Sequence, residues 1–192
     1  MLLRYGQIRK EIRTGDLLLF RRHDLVGWLI GIAGRSPYCH VGMACWQRDL
    51  GLFTRLHCLE MVGRGGRQVP LAQLVERAPG RIDWFEADPD HRWPEFSRER
   101  AAGEMLSCVG RRYGWWTLLR IALLHLPILR LFQRVPYDDR LRDGWALVCS
   151  QAVASAYRAA GVDPVSALAD RVTEPADLAR SLFFRYRGTL IQ

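Results

Sequence analysis

In the stretch SPYCHVGMACW, residues 36–46, a cysteine and a histidine are adjacent, and a thiol beside an imidazole is the raw material of nucleophilic catalysis. The stretch reads as a β-strand, however, and neighbouring strand side chains point to opposite faces. Cys39 and His40 should therefore diverge. His40 is expected to share its face with Gly42, Ala44 and Trp46, and the two small positions leave room for a helix above the sheet. A better-placed thiol is Cys149, in DGWALVCSQAVASAYRAAGV, residues 143–162. Alanine-rich helical sequence begins near Leu147 and stops at Gly161, a natural helix-ending residue. Cys149 then falls in the first turn, where unpaired amides and the helix dipole favour a thiolate. Ala152, Val153, Ala156 and Ala160 lie along or beside the same face and are small enough for close packing on a sheet. A free cysteine at this position also suits a packing role, as a small buried apolar group.

Glu60 bears on the choice. In FTRLHCLEMV, residues 53–62, one face carries Thr54, Leu56, Cys58, Glu60 and Val62, the other Arg55 and His57. A carboxylate on a mainly apolar face needs a partner, because burying it alone is costly. His40, one strand earlier, can supply it, and a carboxylate on the imidazole would fix its tautomer and stabilise its charged form. The alternative is a strand-end glutamate reaching solvent. A metal centre built from Cys39 or His40 with Cys45, His57 and Cys58 lacks the paired spacings of zinc sites, and no cofactor is expected. His23 and His91 fall in polar loops, and His125 in an apolar stretch. Tyr38, two residues before His40, can share its face and wall a substrate site. Asp16 is expected to cap a turn.

The elements that must position these groups are legible in outline. TGDLLLF (14–20) is a turn and a buried strand, followed by strands at 40–46, 53–62 and 81–87. VPLAQLVER, after the turn GRGGR, predicts a short helix. SRERAAGEMLSCVGRR (97–112) predicts another helix, with Ser97 as its N-cap and Glu99 and Glu104 on its surface. The expected fold class is α+β, strands in the first half and helices after residue 96. Residues 115–135, WWTLLRIALLHLPILRLFQRV, form an apolar helical insertion interrupted by Arg120, His125, Arg130 and Pro127. It reads as a buried helix or hairpin first, a membrane-surface or acyl-chain-binding element second and a span last.

At 192 residues, 49% hydrophobic and 25% charged, the chain suits a single domain over 1–192 with a real core. The start, MLLRYGQIRKEIRTGD, is charged from Arg4 onward and lacks a secretory pattern, so cytoplasmic synthesis is expected, with virion association or delivery to the cell envelope as later destinations. Five cysteines at 39, 45, 58, 108 and 149, with no C-x-x-C, do not resemble a disulfide framework. The net charge of +8 comes almost wholly from arginine, Lys10 being the only lysine. The arginines are scattered, without a basic run or an aromatic ladder, which argues against nucleic acid.

TGDLLLF, SPYCHVGMA, LEMVGRGGRQVPL, WALVCSQAVASAYRAAGV and VTEPADLARS, in that order, resemble the circularly permuted branch of the NlpC-like papain-fold cysteine hydrolases, the YiiX/YebB type. Ordinary NlpC-type peptidases place the cysteine helix before the histidine strand; the permuted branch, which lecithin retinol acyltransferase resembles, reverses the order, as this chain does. The resemblance implies a papain-like fold, an antiparallel sheet packed against the nucleophile helix, with Cys149 as nucleophile, His40 as base and Glu60 as orienting residue. It also points to Tyr113, in GRRYGWW, although Gly114 stands where an aspartate is common. The implied activity is amide hydrolysis through a thioacyl-enzyme, the Cys149 amide contributing to an oxyanion hole. The implied substrate is a peptidoglycan peptide or another amide, with phage or prophage use as one setting. A lipid-directed acyltransferase or amidase is the second reading, with a membrane surface met through 115–135, and a non-catalytic binding or structural protein that retains the fold is the third. Oligomeric state is not legible.

Overall fold

The three consecutive leucines of TGDLLLF set the centre of the molecule, because Leu17, Leu18 and Leu19 are all fully buried and must therefore have cover on both faces. They form β2 (Leu17–Arg21) in the middle of a seven-stranded sheet of order β1-β7-β6-β2-β3-β4-β5. The computed structural model describes residues 1–21, 36–49, 53–112, 149–166, 168 and 173–192. Tyr113 and the insertion expected at 115–135 lie outside the described residues.

β3 (Tyr38–Asp49) and β4 (Phe53–Val62) pair antiparallel, and β4 turns through Gly63 and Arg64 into β5 (Gly65–Pro70). β6 (Ile82–Ala87) pairs with β2, and β7 (Phe184–Ile191) lies between β6 and the short β1 (Leu2–Arg4). The sheet is mixed rather than wholly antiparallel, since β1 runs parallel to β7. The sequence reading missed β1, β5 and β7. GGRQVP is too rich in glycine to announce a strand, and FRYRGTLI carries three exposed polar positions that break its alternation.

Five helices are described: α1 (Tyr5–Ile8), α2 (Leu71–Arg77), α3 (Arg98–Ser107), α4 (Cys149–Ala159) and α5 (Pro175–Arg180). Ser97 caps α3 by accepting the Arg100 amide at 3.2 Å, as its position predicts. Glu174 and Asp177 form a reciprocal capping box on α5.

Alternation along the strands divides the core. Leu17, Leu19, Val41, Met43, Cys45, Leu59, Met61 and Phe85 face α3, α4 and α5, meeting Ala101, Met105, Ala152, Val153, Ala156 and Tyr157. Leu18, Ala44, Leu56, Cys58, Ile82 and Trp84 face α2 and the N-terminal segment. Helix α4, which begins at Cys149, thus lies on the face opposite to Gly42 and Ala44. The room expected there is taken by Cys58, whose sulfur would collide with a Cβ at Gly42. Alanines on α4 serve close packing as expected, but against Val41 and Met43.

Asp16 does more than the turn cap expected of it. Fully buried, it accepts from the Arg13 amide at 2.9 Å, Trp84 Nε1 at 2.8 Å, the Ala87 amide at 3.2 Å and Arg98 Nη1 at 2.7 Å. Burial raises its pKa against the Arg98 charge and these bonds, which work the other way. Tyr157 of α4 donates to the neighbouring Gly15 carbonyl at 2.7 Å. One turn at the start of β2 thereby fastens both α3 and α4.

Candidate active site

The site begins where two strands part. The β3–β4 ladder runs from Asp49–Phe53 up to Gly42–Glu60, so Tyr38–Val41 is laddered on its β2 side. Cys149, the first residue of α4 as described and 7% exposed, occupies the freed edge, where the amides of Val41 and Ser150 donate to its sulfur. This explains how a helix on one face meets a histidine directed toward the other: both reach the sheet where the ladder has ended.

His40 lies opposite Phe20, with ring centroids 5.0 Å apart. Its Nε2 is 2.7 Å from Glu60 Oε2, and the ring is hydrogen-bonded to Cys149, for which Nδ1 is the nitrogen left. Glu60 stands directly across from Gly42, two positions along from His40. The missing side chain at 42 lets the carboxylate lean diagonally to the imidazole.

The Glu60 side chain is 2% exposed and has a second partner absent from the sequence reading. Arg67 on β5, in register with Glu60, places Nε 2.8 Å and Nη2 2.7 Å from Oε1. The signal for it existed: Glu60 and Arg67 are equidistant from the two-residue Gly63-Arg64 turn, so a hairpin reading of VGRG pairs them.

Electrostatics follow from this stacking of charges. Burial opposes charge on Cys149, but the His40 imidazolium, its hydrogen bond and the two amides outweigh burial and bring the thiol below its ordinary value. Burial likewise opposes a charged His40, yet the Cys149 thiolate and the Glu60 carboxylate push its pKa up to about 10. The His40 side chain keeps 21% exposure, which leaves one edge open to a reactant. Glu60, raised by burial, is carried below the ordinary carboxylate range by His40 and Arg67. The arrangement is a thiol and an imidazole, each shifted toward its charged form, backed by a carboxylate and a guanidinium.

Tyr38 does not share the His40 face. A register shift pairs Phe20 with His40 but Arg21 with Tyr38, and the extra residue turns Tyr38 to the opposite side. There its hydroxyl donates to Asp83 Oδ2 at 2.7 Å and its ring packs edge-on to Phe85. Burial first, then the Asp83 hydrogen bond, raises its pKa. The hydroxyl is engaged in a cluster with Asp83, Arg21 and Thr189. The Cys39 sulfur lies 3.6 Å from the Phe20 carbonyl. All five thiols are free of disulfides.

No family model matches the chain, and no curated protein matches it. Among solved structures it is similar to the metalloprotein YiiX (DUF1105) from Escherichia coli O157:H7, with a TM-score of 0.64 and 15% identity over 94% of this chain and 98% of that one. Among the described residues of this chain, no group of three or more His, Cys, Asp or Glu side chains is placed to hold a metal ion, and both Glu60 oxygens are engaged by His40 and Arg67. The likeness is one of fold, and the chain has a YiiX-like mixed α/β fold.

Proposed function

We propose that this protein is a cysteine hydrolase of the circularly permuted, papain-like NlpC type, cleaving amide bonds through a thioacyl-enzyme. The observation that carries the reading is the hydrogen-bonded sequence Cys149–His40–Glu60, in which thiol and imidazole are mutually shifted toward their charged forms. The Cys149 thiolate adds to the acyl carbon; the C–N bond then breaks as the His40 imidazolium gives its proton to the leaving amine. Neutral His40 next takes a proton from water, whose oxygen attacks the thioester, releasing the acid and returning the sulfur as thiolate. Glu60 keeps the ring oriented and its charge stabilised, and the Cys149 amide serves the developing oxyanion. A peptidoglycan peptide, or another amide, is the proposed substrate. Lipid-directed chemistry rests on the composition of 115–135 alone.

The test is labelling with an active-site thiol probe, followed by location of the modified residue. Cys149 should label fastest, and His40→Ala should abolish that preference. If the half-exposed Cys39 labels ahead of the buried Cys149, and His40→Ala changes nothing, the hydrolase reading fails.

A further inference from the structure

Four arginines gather at the end of the sheet where the site lies. Arg64 and Arg67 belong to the β4–β5 hairpin, Arg111 and Arg112 to the segment after α3, and all four side chains are exposed. The backbone holds these two segments together: the Gly66 amide donates to the Arg111 carbonyl at 2.9 Å and the Gly110 amide to the Gly66 carbonyl at 2.9 Å. Gly66 also bridges to Val109, and a Cβ at Gly66 would run into the Cys108 carbonyl. The hairpin's glycines are what permit this approach.

Among the described residues, charge at this corner is unbalanced. Among the described residues, Glu60 is the carboxylate that ion-pairs with any of the four guanidinium groups, and its charge is shared with His40. Glu104 is the other acidic group nearby, felt with Arg111 at the Cys108 thiol. Arg67 commits Nε and Nη2 to Glu60 while its side chain remains 47% exposed. From Arg67 to the Cys149 sulfur the path is one carboxylate, one imidazole and their hydrogen bonds, on the order of 10 Å. Among the described residues, excess positive charge thus lies beside the Cys149–His40–Glu60 cluster.

We propose that this arginine corner recruits a negatively charged acyl substrate, a carboxylate-bearing amide, to Cys149. The inference rests on the thiol chemistry proposed above. A planar guanidinium matches a carboxylate in two hydrogen bonds, and a cleft edge of one sign raises the local concentration of the opposite sign. A soluble anion suits the corner better than a bilayer surface does. Val109 is the one large apolar side chain exposed there among the described residues, and a single such group is not an inserting patch.

Iodoacetate and iodoacetamide, which differ in charge but react alike, provide the test. Rates of alkylation at Cys149 are measured at low ionic strength in the full chain and in Arg64→Gln, Arg111→Gln, Arg112→Gln and their triple combination. The iodoacetate-to-iodoacetamide ratio should fall in each variant and furthest in the triple one, by about twofold for a charge ~10 Å away in a water-like medium and by less for one farther out. Added salt should lower the parent ratio toward that of the triple variant. Arg→Lys at the same positions should keep the ratio, which separates charge from folding. An unchanged ratio in the triple variant, with Cys149 still the preferred thiol, overturns the corner's role and leaves the hydrolase reading intact. Alkylation without preference for Cys149 overturns both. An unchanged ratio together with arginine-dependent flotation on phosphatidylglycerol vesicles would assign the corner to a membrane instead.

Discussion

Replacing Glu60 by glutamine keeps the size of a side chain that is 2% exposed and removes its charge from between His40 and Arg67. The amide can still hold the imidazole, so the loss is the charge-assisted part of a 2.7 Å bond. Hydrogen bonds to charged groups contribute about 1.5–3 kcal/mol, and one pKa unit corresponds to about 1.4 kcal/mol. His40, now pushed up to about 10, should therefore drop by about 1–2 units in Glu60→Gln. The sign reverses for Arg67→Gln. Removing the guanidinium leaves Glu60 to His40 alone, strengthens the attraction on the imidazolium and should raise the His40 value further. NMR titration of the His40 ring reads both shifts directly, and the alkaline limb of any acyl-transfer rate should follow them, because protonating the leaving group requires the imidazolium. Shifts of the same sign in the two variants, or none in either, would refute the account of Glu60 as a charge shared between His40 and Arg67.

Stability should respond to pH in segments. A raised His40 stabilises fully below its ordinary 6.5 and loses that stabilisation as pH climbs through about 10; a lowered Cys149 stabilises fully above its ordinary 9.0 and loses that as pH falls through its folded value. The two slopes oppose each other wherever both act, up to pH 9, and the His40 slope alone remains from 9 to about 10, so denaturant midpoints of the parent minus those of a Cys149→Ala, His40→Ala double variant should fall more steeply above pH 9 than below it. A difference that falls no more steeply above pH 9 than below it would contradict this coupling. Gly42→Ala forces a Cβ against the Cys58 sulfur and to 3.0 Å from the Leu59 carbonyl, and should cost about 1–3 kcal/mol in thermal unfolding while pulling Glu60 off His40. Cys39→Ala removes a 3.6 Å sulfur contact to the Phe20 carbonyl; it should cost on the order of 1 kcal/mol or less and leave Cys149 labelling unchanged.

What could be read from the letters was what strand alternation and helix spacing control. Period-two alternation aligns His40 with the face of Glu60, and the alanine spacing sets the small face of α4. The features that escaped depend on tertiary register. The shift between Phe20 and Arg21 turns Tyr38 to the Asp83 side, and nothing in SPYCH announces a bulge. The side of the sheet chosen by α4 depends on Cys58 filling the space beside Gly42, a cross-strand contact. Arg67 looked like turn composition because glycines on both sides masked a strand. Asp16 read as a local cap because its partners Trp84, Ala87 and Arg98 come from distant segments.

The placement of β7 orders the assembly of the molecule. Neighbours β2, β3, β4 and β5 follow one another in the chain once β2 is joined to β3, whereas β1 ladders with β7 alone, Leu2 against Thr189. Closing that contact spans nearly the whole chain, and the entropy of doing so grows with the length closed. Hairpins carrying His40, Glu60 and Arg67 can therefore form early, while α4 docks only when the distant turn at Gly15 can receive Tyr157. A half-folded chain would hold its imidazole and carboxylate together but keep its thiol ordinary and protonated, so the thiol joins His40 only when α4 docks. Pulse-labelled hydrogen exchange during refolding should protect β3 and β4 amides before those of β1; simultaneous protection would remove this ordering.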